Sequence, residues 1–496
     1  MPGIPFLARA LVAVAVLAAV AATGLTGAGF RGAAHSAPAP ISLTEGIAEG
    51  SCGSRQIIVV PADQNASYAG HNSVRLAGQC TDGTTTGNSA AGNSAARNNA
   101  AGNNAAGKWL ASGTVPGTGP VLQSMAERSL LDLYLSVQPD GAVVAGYYHG
   151  WDYAWPRDSS WVAAALAETG HGPDALRVLR FLGQEQNANG TWAARYETNG
   201  SGPVVDGRPA ELDAVGWVPW AVWSWYQTTG TGTGAGPGSG AGAGARAELA
   251  GLWPMVNAAA GAAERSLTPN GLPEPATDYW EHGSQVTLGT AAPLLTGLRA
   301  AADIAATLGQ TSASARWATA ASRLATAVQA SFGCYGDHRL PRDSAGPDAA
   351  ITWLGPPFGP ASPALERDEQ AAQRALTLPN GGLLPGTDWP GNLTTAWTPE
   401  TAFFALSDAE TGQHAAAATL LDWLAAHRTT LGELPEQVNA DGRPGSVAPL
   451  AWTDATVLLT LVAQSHALPT VPVPGQEQGA AAAGDCPLPP LTVVGR

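Results

Sequence analysis

The feature that most restricts this chain is a helical periodicity running from about Val121 to Ser465 with almost no strand signal. Apolar residues recur at three- and four-residue steps, and Gly, Pro or Asn marks the breaks. Twelve segments result, starting near Val121, Asp158, Pro173, Glu211, Arg246, Thr287, Ser312, Asp348, Leu365, Pro399, His414 and Thr453. The Asp348 segment has the weakest pattern. Twelve helices in antiparallel pairs can close into an all-α, double-layered toroid whose inter-pair loops build a pocket at one end. A stacked solenoid of helix pairs is the competing arrangement, but it expects a repeating sequence period, and none is present. At 496 residues and 45% hydrophobic, the chain has enough apolar material for one large core.

Outside that region the sequence changes character. Ala10 to Leu25 is almost wholly apolar, preceded by Arg9 and followed by small residues, which reads as a secretory signal over 1–28. An uncleaved membrane anchor is the alternative, although the run is short for a bilayer span of about 20 residues. Residues 29–118 read as an irregular segment with one β-like run, Ile57–Val60, and a Gly/Asn/Ala tract over 83–107. A second such tract, 230–245, interrupts the helical domain (119–466) as a surface insertion, and 467–496 reads as an extended tail. Four cysteines, Cys52, Cys80, Cys334 and Cys486, with no CxxC pair in an exported context, point to disulfides, with Cys52–Cys80 and Cys334–Cys486 the expected pairing. A net charge of −15 without any basic run argues against nucleic acid and anionic membranes as partners.

Three stretches carry chemistry. In Tyr147-Tyr-His-Gly-Trp-Asp-Tyr-Ala-Trp-Pro-Arg-Asp158, Tyr and Trp rings, Tyr153 and Trp155 among them, lead into the guanidinium of Arg157 and the carboxylate of Asp158. Flat rings beside converging polar groups suit a sugar, whose apolar faces are edged with hydroxyls. The plain alternative is that Asp158 caps the following helix. In Pro273-Glu-Pro-Ala-Thr-Asp-Tyr-Trp-Glu281-His282, a carboxyl follows two aromatics; held against them it would be desolvated and protonated, as a general acid must be. It could equally be a loop glutamate or a cap for the helix near Thr287. In Gly432-Glu-Leu-Pro-Glu436-Gln-Val438, followed by Pro449-Leu-Ala-Trp452-Thr-Asp454, Glu436 lies in a Pro-punctuated loop, a usual place for a catalytic group on a helical scaffold and also for a merely solubilising one. No His/Asp cluster has metal-ligand spacing, so no metal or cofactor is expected.

These stretches resemble the glucoamylase family of glycoside hydrolases. The resemblance rests on Trp155-Pro-Arg-Asp158, Gly170-His-Gly-Pro-Asp-Ala-Leu-Arg-Val-Leu-Arg-Phe-Leu182, Glu211-Leu-Asp-Ala-Val-Gly-Trp217, Asp278-Tyr-Trp-Glu281, Trp397-Thr-Pro-Glu-Thr-Ala402 and Leu434-Pro-Glu-Gln-Val438 with Pro449-Leu-Ala-Trp452, in that order. It implies an (α/α)6 barrel that removes glucose from the non-reducing ends of α-glucans with inversion. By position Glu281 matches the general acid, Glu436 the general base, and Arg157 and Asp158 the pair that grips the terminal glucose. Trp155, Trp280, Trp452 and Tyr153 match substrate-binding aromatics, and Asp213 and His149 are supporting residues at best. His282 stands where many members carry a second Glu, which leaves linkage and chain-length preference open.

The resulting expectation is a secreted, monomeric, inverting exo-glycosidase acting on soluble maltodextrins or isomalto-oligosaccharides. An α,α-trehalase or a glucodextranase-like enzyme is the nearest competitor, a sugar-binding barrel without hydrolysis comes next, and a helical scaffold for protein partners is last.

Overall fold

A computed structural model describes residues 41–49, 57–62, 105–230 and 241–474 of the chain. The signal-like run, Cys52, Cys80, Cys486 and most of both low-complexity tracts lie outside the described residues. Two strands, β1 (Thr44–Glu49) and β2 (Ile57–Pro61), pair antiparallel with Glu49 opposite Ile57. Twelve α-helices follow among the described residues: α1 (Ala105–Leu110), α2 (Gly119–Ser136), α3 (Pro156–Glu168), α4 (Gly172–Gln184), α5 (Ala214–Gly230), α6 (Ala241–Arg265), α7 (Leu288–Thr307), α8 (Thr311–Ser331), α9 (Pro363–Leu376), α10 (Thr398–Glu410), α11 (His414–Ala426) and α12 (Ala451–Ala463). Five two-residue strands tie the loops at one end: β3 (Tyr153–Ala154) to β4 (Tyr196–Glu197), and β5 (Ala396–Trp397) to β6 (Gln437–Val438) to β7 (Pro444–Gly445).

The helices form two concentric layers. In the inner layer α3 packs on α5, α5 on α7, α7 on a short 3-10 turn (Ala349–Trp353), that turn on α10, α10 on α12, and α12 back on α3. The ring therefore closes, as an (α/α)6 toroid requires and a solenoid does not. Helices α2, α4, α6, α8, α9 and α11 lie outside it. Sequence and position agree in each layer. Every residue of α12 is buried; the hydroxyls of Thr456 and Thr460 bond back to the helix (to the Trp452 and Thr456 carbonyls, 2.8 Å each), while that of Thr453 meets Thr398 Oγ1 on α10 at 2.8 Å. Outer α4 buries Gly172, Ala175, Val178, Leu179, Phe181 and Leu182 and leaves the rest at least partly open, the helical spacing of a one-sided contact.

The segment expected to be helical from Asp348 is where the layers are least regular. Asp348 caps it, accepting from the Ala350 N–H at 2.8 Å, but it lasts only one 3-10 turn. Gly355-Pro356-Pro357 follows; prolines lack the N–H that a longer helix would use and disfavour helical geometry in the residue before them. Asp158 is not a helix cap: Trp155 is, with Pro156 first and Asp158 third in α3. The last residues of the 83–107 tract begin α1, which packs on α2, and the end of the 230–245 tract opens α6. The start of the tail is anchored, with Leu468 N–H bonded to Glu410 (2.9 Å) and Val471 N–H to the Pro357 carbonyl (3.0 Å).

Where α5 crosses α7 the backbones touch. A Cβ on Gly216 would stand 2.1 Å from the Pro293 carbonyl oxygen, and one on Gly297 2.5 Å from the Gly216 Cα. Neither obstacle is a movable side chain. Gly216→Ala is therefore expected to destabilise the protein by about 2 kcal/mol, the usual cost of overpacking, measured as a lowered denaturation midpoint.

Candidate active site

Inner helices α3, α10 and α12 each carry a buried acid in the first turn: Asp158, Glu400 and Asp454. The helix N-terminus favours negative charge there. Around Asp158 and Glu400 the balance of charge is uneven. Arg157 Nη1 pairs with Glu211 and, at 3.1 Å, with Asp213; its Nε stands 3.8 Å from Asp158, and its guanidinium lies 4.8 Å above the Trp452 ring. The guanidinium expected to grip a sugar is thus largely committed to two carboxylates. Burial raises the pKa of Asp158 to about 6 against the attraction of Arg157. It raises Glu211 to about 7, again against Arg157 and with Asp213 adding to the rise. Glu400 reaches about 8, first through burial and then through the charges of Glu436 and Asp348. One cation cannot keep this many desolvated carboxyls ionised.

Glu436 sits on the loop between α11 and α12. Its backbone N–H bonds to the Val447 carbonyl (2.8 Å), and its carbonyl accepts from the Thr398 N–H (3.0 Å), so Glu436 is fixed on both sides just before β6, which lies between β5 and β7. Oε1 accepts from Trp151 Nε1 at 3.1 Å and Oε2 from the Ser446 hydroxyl. Burial raises the Glu436 pKa, these two donors oppose the rise, and the charge of Asp158 adds to it. Ser446 has a left-handed backbone (φ +61°), and residues 41–43 run alongside it: Ser446 N–H bonds to the Ile41 carbonyl and Leu43 N–H to the Ser446 carbonyl, both at 2.9 Å.

Glu281 ends a rigid support. Arg339 bonds to Asp278 and Asp348 (2.9 Å each) and lies 3.5 Å over the Trp280 ring, while the Tyr279 hydroxyl donates to Asp348 at 2.6 Å. Glu281 itself has φ +53°, a conformation a non-glycine residue keeps only when its surroundings enforce it. Oε1 accepts from Trp155 Nε1 at 3.1 Å and Oε2 pairs with Arg208. The expected desolvation is not found: the side chain remains 30% exposed. A cavity of about 640 Å³ opens between loops 209–215 and 274–284, with Glu211 and Glu281 on its wall.

Trp151 and Trp155, four positions apart on one segment, therefore hold Glu436 and Glu281, and the same segment runs on into Arg157 and Asp158. Of the other expected residues, Tyr153 lies under Arg195 (4.3 Å) and against Trp155, and Trp280 packs edge-on to Trp389. Trp452 is shared between Arg157 and the core rings Trp161, Trp353 and Phe403. Sequence reasoning missed Trp151, Glu400, Ser446, Arg208 and Arg339 as members of the site. A signal existed for Glu400: Trp397-Thr-Pro-Glu400 repeats the aromatic, first-turn proline and third-position acid of Trp155-Pro-Arg-Asp158.

Known glycosidases share this architecture. A glycosidase variant in complex with glucose superposes with a TM-score of 0.57 at 20% identity, over 70% of this chain and 97% of that one. A bacterial glucoamylase complexed with acarbose gives 0.55 at 15% identity, over 73% of this chain and 58% of that one. A family 63 mannosylglycerate hydrolase of Thermus thermophilus, in complex with glucose, gives 0.50 at 14%, over 68% and 99%. The fold is the glycosidase (α/α)6 barrel. In sequence, an uncharacterized glycosyl hydrolase of Methanocaldococcus jannaschii is 28% identical over 111 residues, which is 22% of this chain and 18% of that protein; the chain thus matches under a fifth of its curated relative's length. No family model matches.

Because Ser446 donates to the Glu436 carboxylate, Ser446→Ala is expected to raise the Glu436 pKa further. A carboxyl-carbon NMR titration, with Glu436→Gln used for assignment, would measure it. An unchanged value would mean that the hydroxyl does not stabilise the charge.

Proposed function

We propose that this chain is an exported inverting glycosidase that releases glucose from the non-reducing ends of α-glucans or maltodextrins. One observation carries the reading: two acids remote in sequence, Glu281 and Glu436, are bonded to indoles of a single segment that continues into Arg157 and Asp158. Two structural neighbours, one in complex with glucose and one with acarbose, support a sugar as the ligand.

In this mechanism the terminal glucose enters the end of the barrel where the inner helices begin. Asp158 and Glu400 accept its hydroxyls. Glu400 Oε2 and Arg157 Nε are buried without a hydrogen-bond partner in the protein, and such groups ordinarily have one. Arg157 serves mainly to hold Asp158, Glu211 and Asp213 in register. Protonated Glu281 gives its proton to the glycosidic oxygen as that bond lengthens and positive charge develops on the ring. Ionised Glu436, kept so by Ser446 and Trp151, takes a proton from a water that attacks the opposite face. Room for that water calls for carboxyl groups roughly 6.5–9.5 Å apart.

Glu281→Gln is expected to lower turnover of a disaccharide by about 10²–10⁴-fold, the usual size of a general-acid contribution. Hydrolysis of α-glucosyl fluoride, whose leaving group needs no proton, should survive. Glu436→Gln should lose both. Proton NMR of the first sugar formed from maltose, isomaltose and trehalose would identify the substrate, and an α-anomer as first product would overturn inversion. A sugar-binding protein without activity would turn over none of them.

A further inference from the structure

The loop over residues 198–210 has no role in the mechanism above, yet it places a guanidinium on the proposed acid. Arg208 pairs with Glu281 Oε2 while Trp155 occupies Oε1, so both oxygens of the carboxylate are engaged. The oxygen that must hold the proton cannot meet a glycosidic oxygen while Arg208 sits on it.

The attachment of Arg208 is light. Its N–H donates to Asp206 Oδ1 at 3.1 Å and its Nε lies 3.4 Å from Asp206 Oδ2. Asp206 is held in turn by Arg195, which lies over the rings of Tyr153 (4.3 Å) and Trp155 (5.1 Å) and donates to the Gly150 carbonyl at 2.9 Å. A chain of contacts thus runs from the aromatic segment through Arg195, Asp206 and Arg208 to Glu281. Backbone hydrogen bonds tie the loop's first half down, from Glu197 N–H to the Gly202 carbonyl (2.9 Å) and from Val204 N–H to the Arg195 carbonyl (3.1 Å), while its outer face packs against nothing. Gly200, Gly202 and Gly207 all have positive φ, and a Cβ on any of them would meet nothing within 4 Å; Val205 is 97% exposed. The Arg208 side chain is 38% exposed, which lets water replace its partner at modest cost.

We propose that Arg208 is a latch on Glu281. In the empty site it caps the acid as a carboxylate, and an arriving leaving group displaces it, after which Glu281 takes a proton from solvent and can act. The proposal rests on Glu281 being the acid. Arg208 is a positioning residue here, since it works through Glu281.

Other charged groups surround Glu281: Glu211 and Glu274 on the cavity wall, His282 beside it in the chain, and Asp278 and Arg339 beneath Trp280. The two glutamates favour a protonated Glu281, and Arg208 favours an ionised one. Removing Arg208 should therefore raise the pH at which the acid loses its proton. In Arg208→Gln the basic limb of kcat/KM, which reports the free enzyme, is expected to move about one pH unit upward on a disaccharide. The basic limb of kcat should move less, because the bound substrate has already displaced the latch. Arg208→Lys keeps the charge and should keep the wild-type limb. Glu281→Gln is run alongside on the same disaccharide. If it abolishes hydrolysis while Arg208→Gln leaves the kcat/KM limb in place, the latch is wrong and the acid assignment stands. If Glu281→Gln hydrolyses the disaccharide normally, the acid assignment is wrong and the latch falls with it. A thermal midpoint unchanged in Arg208→Gln would show that the shift is not a folding effect.

Discussion

Management of buried negative charge around Arg157 is the constraint on which the site end of the barrel depends. Asp158, Glu211, Asp213 and Glu400 gather where the inner helices begin, and a single guanidinium serves them. Desolvation makes each carboxylate expensive, so the group is stable only with some of its members protonated. Glu211 and Glu400, raised to about 7 and 8, are the best placed to be neutral. Nη1 alone meets Glu211 and Asp213 while Nε faces Asp158 and the flat guanidinium lies over the Trp452 ring, a spread of contacts that a single ammonium cannot reproduce, which makes Lys a poor substitute for Arg157. The same economy suits a sugar. A neutral carboxyl both donates and accepts, as a hydroxyl does, so a pocket of mixed protonation states can match alternating hydroxyls without bringing in further charge.

Around this group the chain uses distant segments to fix the loop that carries Glu436. Residues 41–47, which the helical pattern leaves out of the domain, are stitched to residues 429–448. Thr44 Oγ1 donates to the Ala448 carbonyl and accepts its N–H, both at 2.8 Å; Ile47 N–H bonds to Glu433 at 2.7 Å; Thr430 N–H bonds to Glu45 at 2.7 Å. Glu433 is in turn held by Arg128 on α2 at 2.9 Å. The loop thus rests on the first strand on one side and on an outer helix on the other. That explains how Ser446, donor to Glu436, can be kept in a left-handed conformation.

What could be read from the sequence follows from what is local. Eleven of the twelve predicted segments are α-helices because all-round burial and one-sided burial leave different apolar spacings, as α12 and α4 show. The Asp348 segment failed because two prolines just beyond it outweigh its apolar pattern. The carboxyls of Glu281 and Glu436 and the Arg157–Asp158 pair stood out because aromatics flank them in the chain. Arg339, Ser446 and Arg208 did not, because each acts on a residue that only the closed ring brings near. No local pattern marks a serine whose hydroxyl will meet a carboxylate ten positions earlier, across β6 and β7. The β1–β2 pairing was half legible: Ile57–Val60 announced a strand, but Thr44–Glu49, with Gly46 and two glutamates, did not announce its partner.

The two proposed catalytic carboxyls show an inversion of what their neighbours in sequence suggested. Glu281, preceded by Tyr279 and Trp280, was expected to be the desolvated one, yet those rings turn inward to Asp348 and Arg339 and leave it open to solvent beside Arg208. Glu436 is the one that burial presses toward its neutral form. Arg208 thus sits where it suits an ionised Glu281, while burial opposes an ionised Glu436, the reverse of what inverting hydrolysis needs. Ser446 and Trp151 already correct the base from within the protein. At Glu281 only Glu211 and Glu274 across the cavity oppose Arg208, and under the latch proposal a ligand that takes the place of Arg208 completes the correction. Chemical competence would then arise on binding, with substrate occupancy itself setting the proton on Glu281.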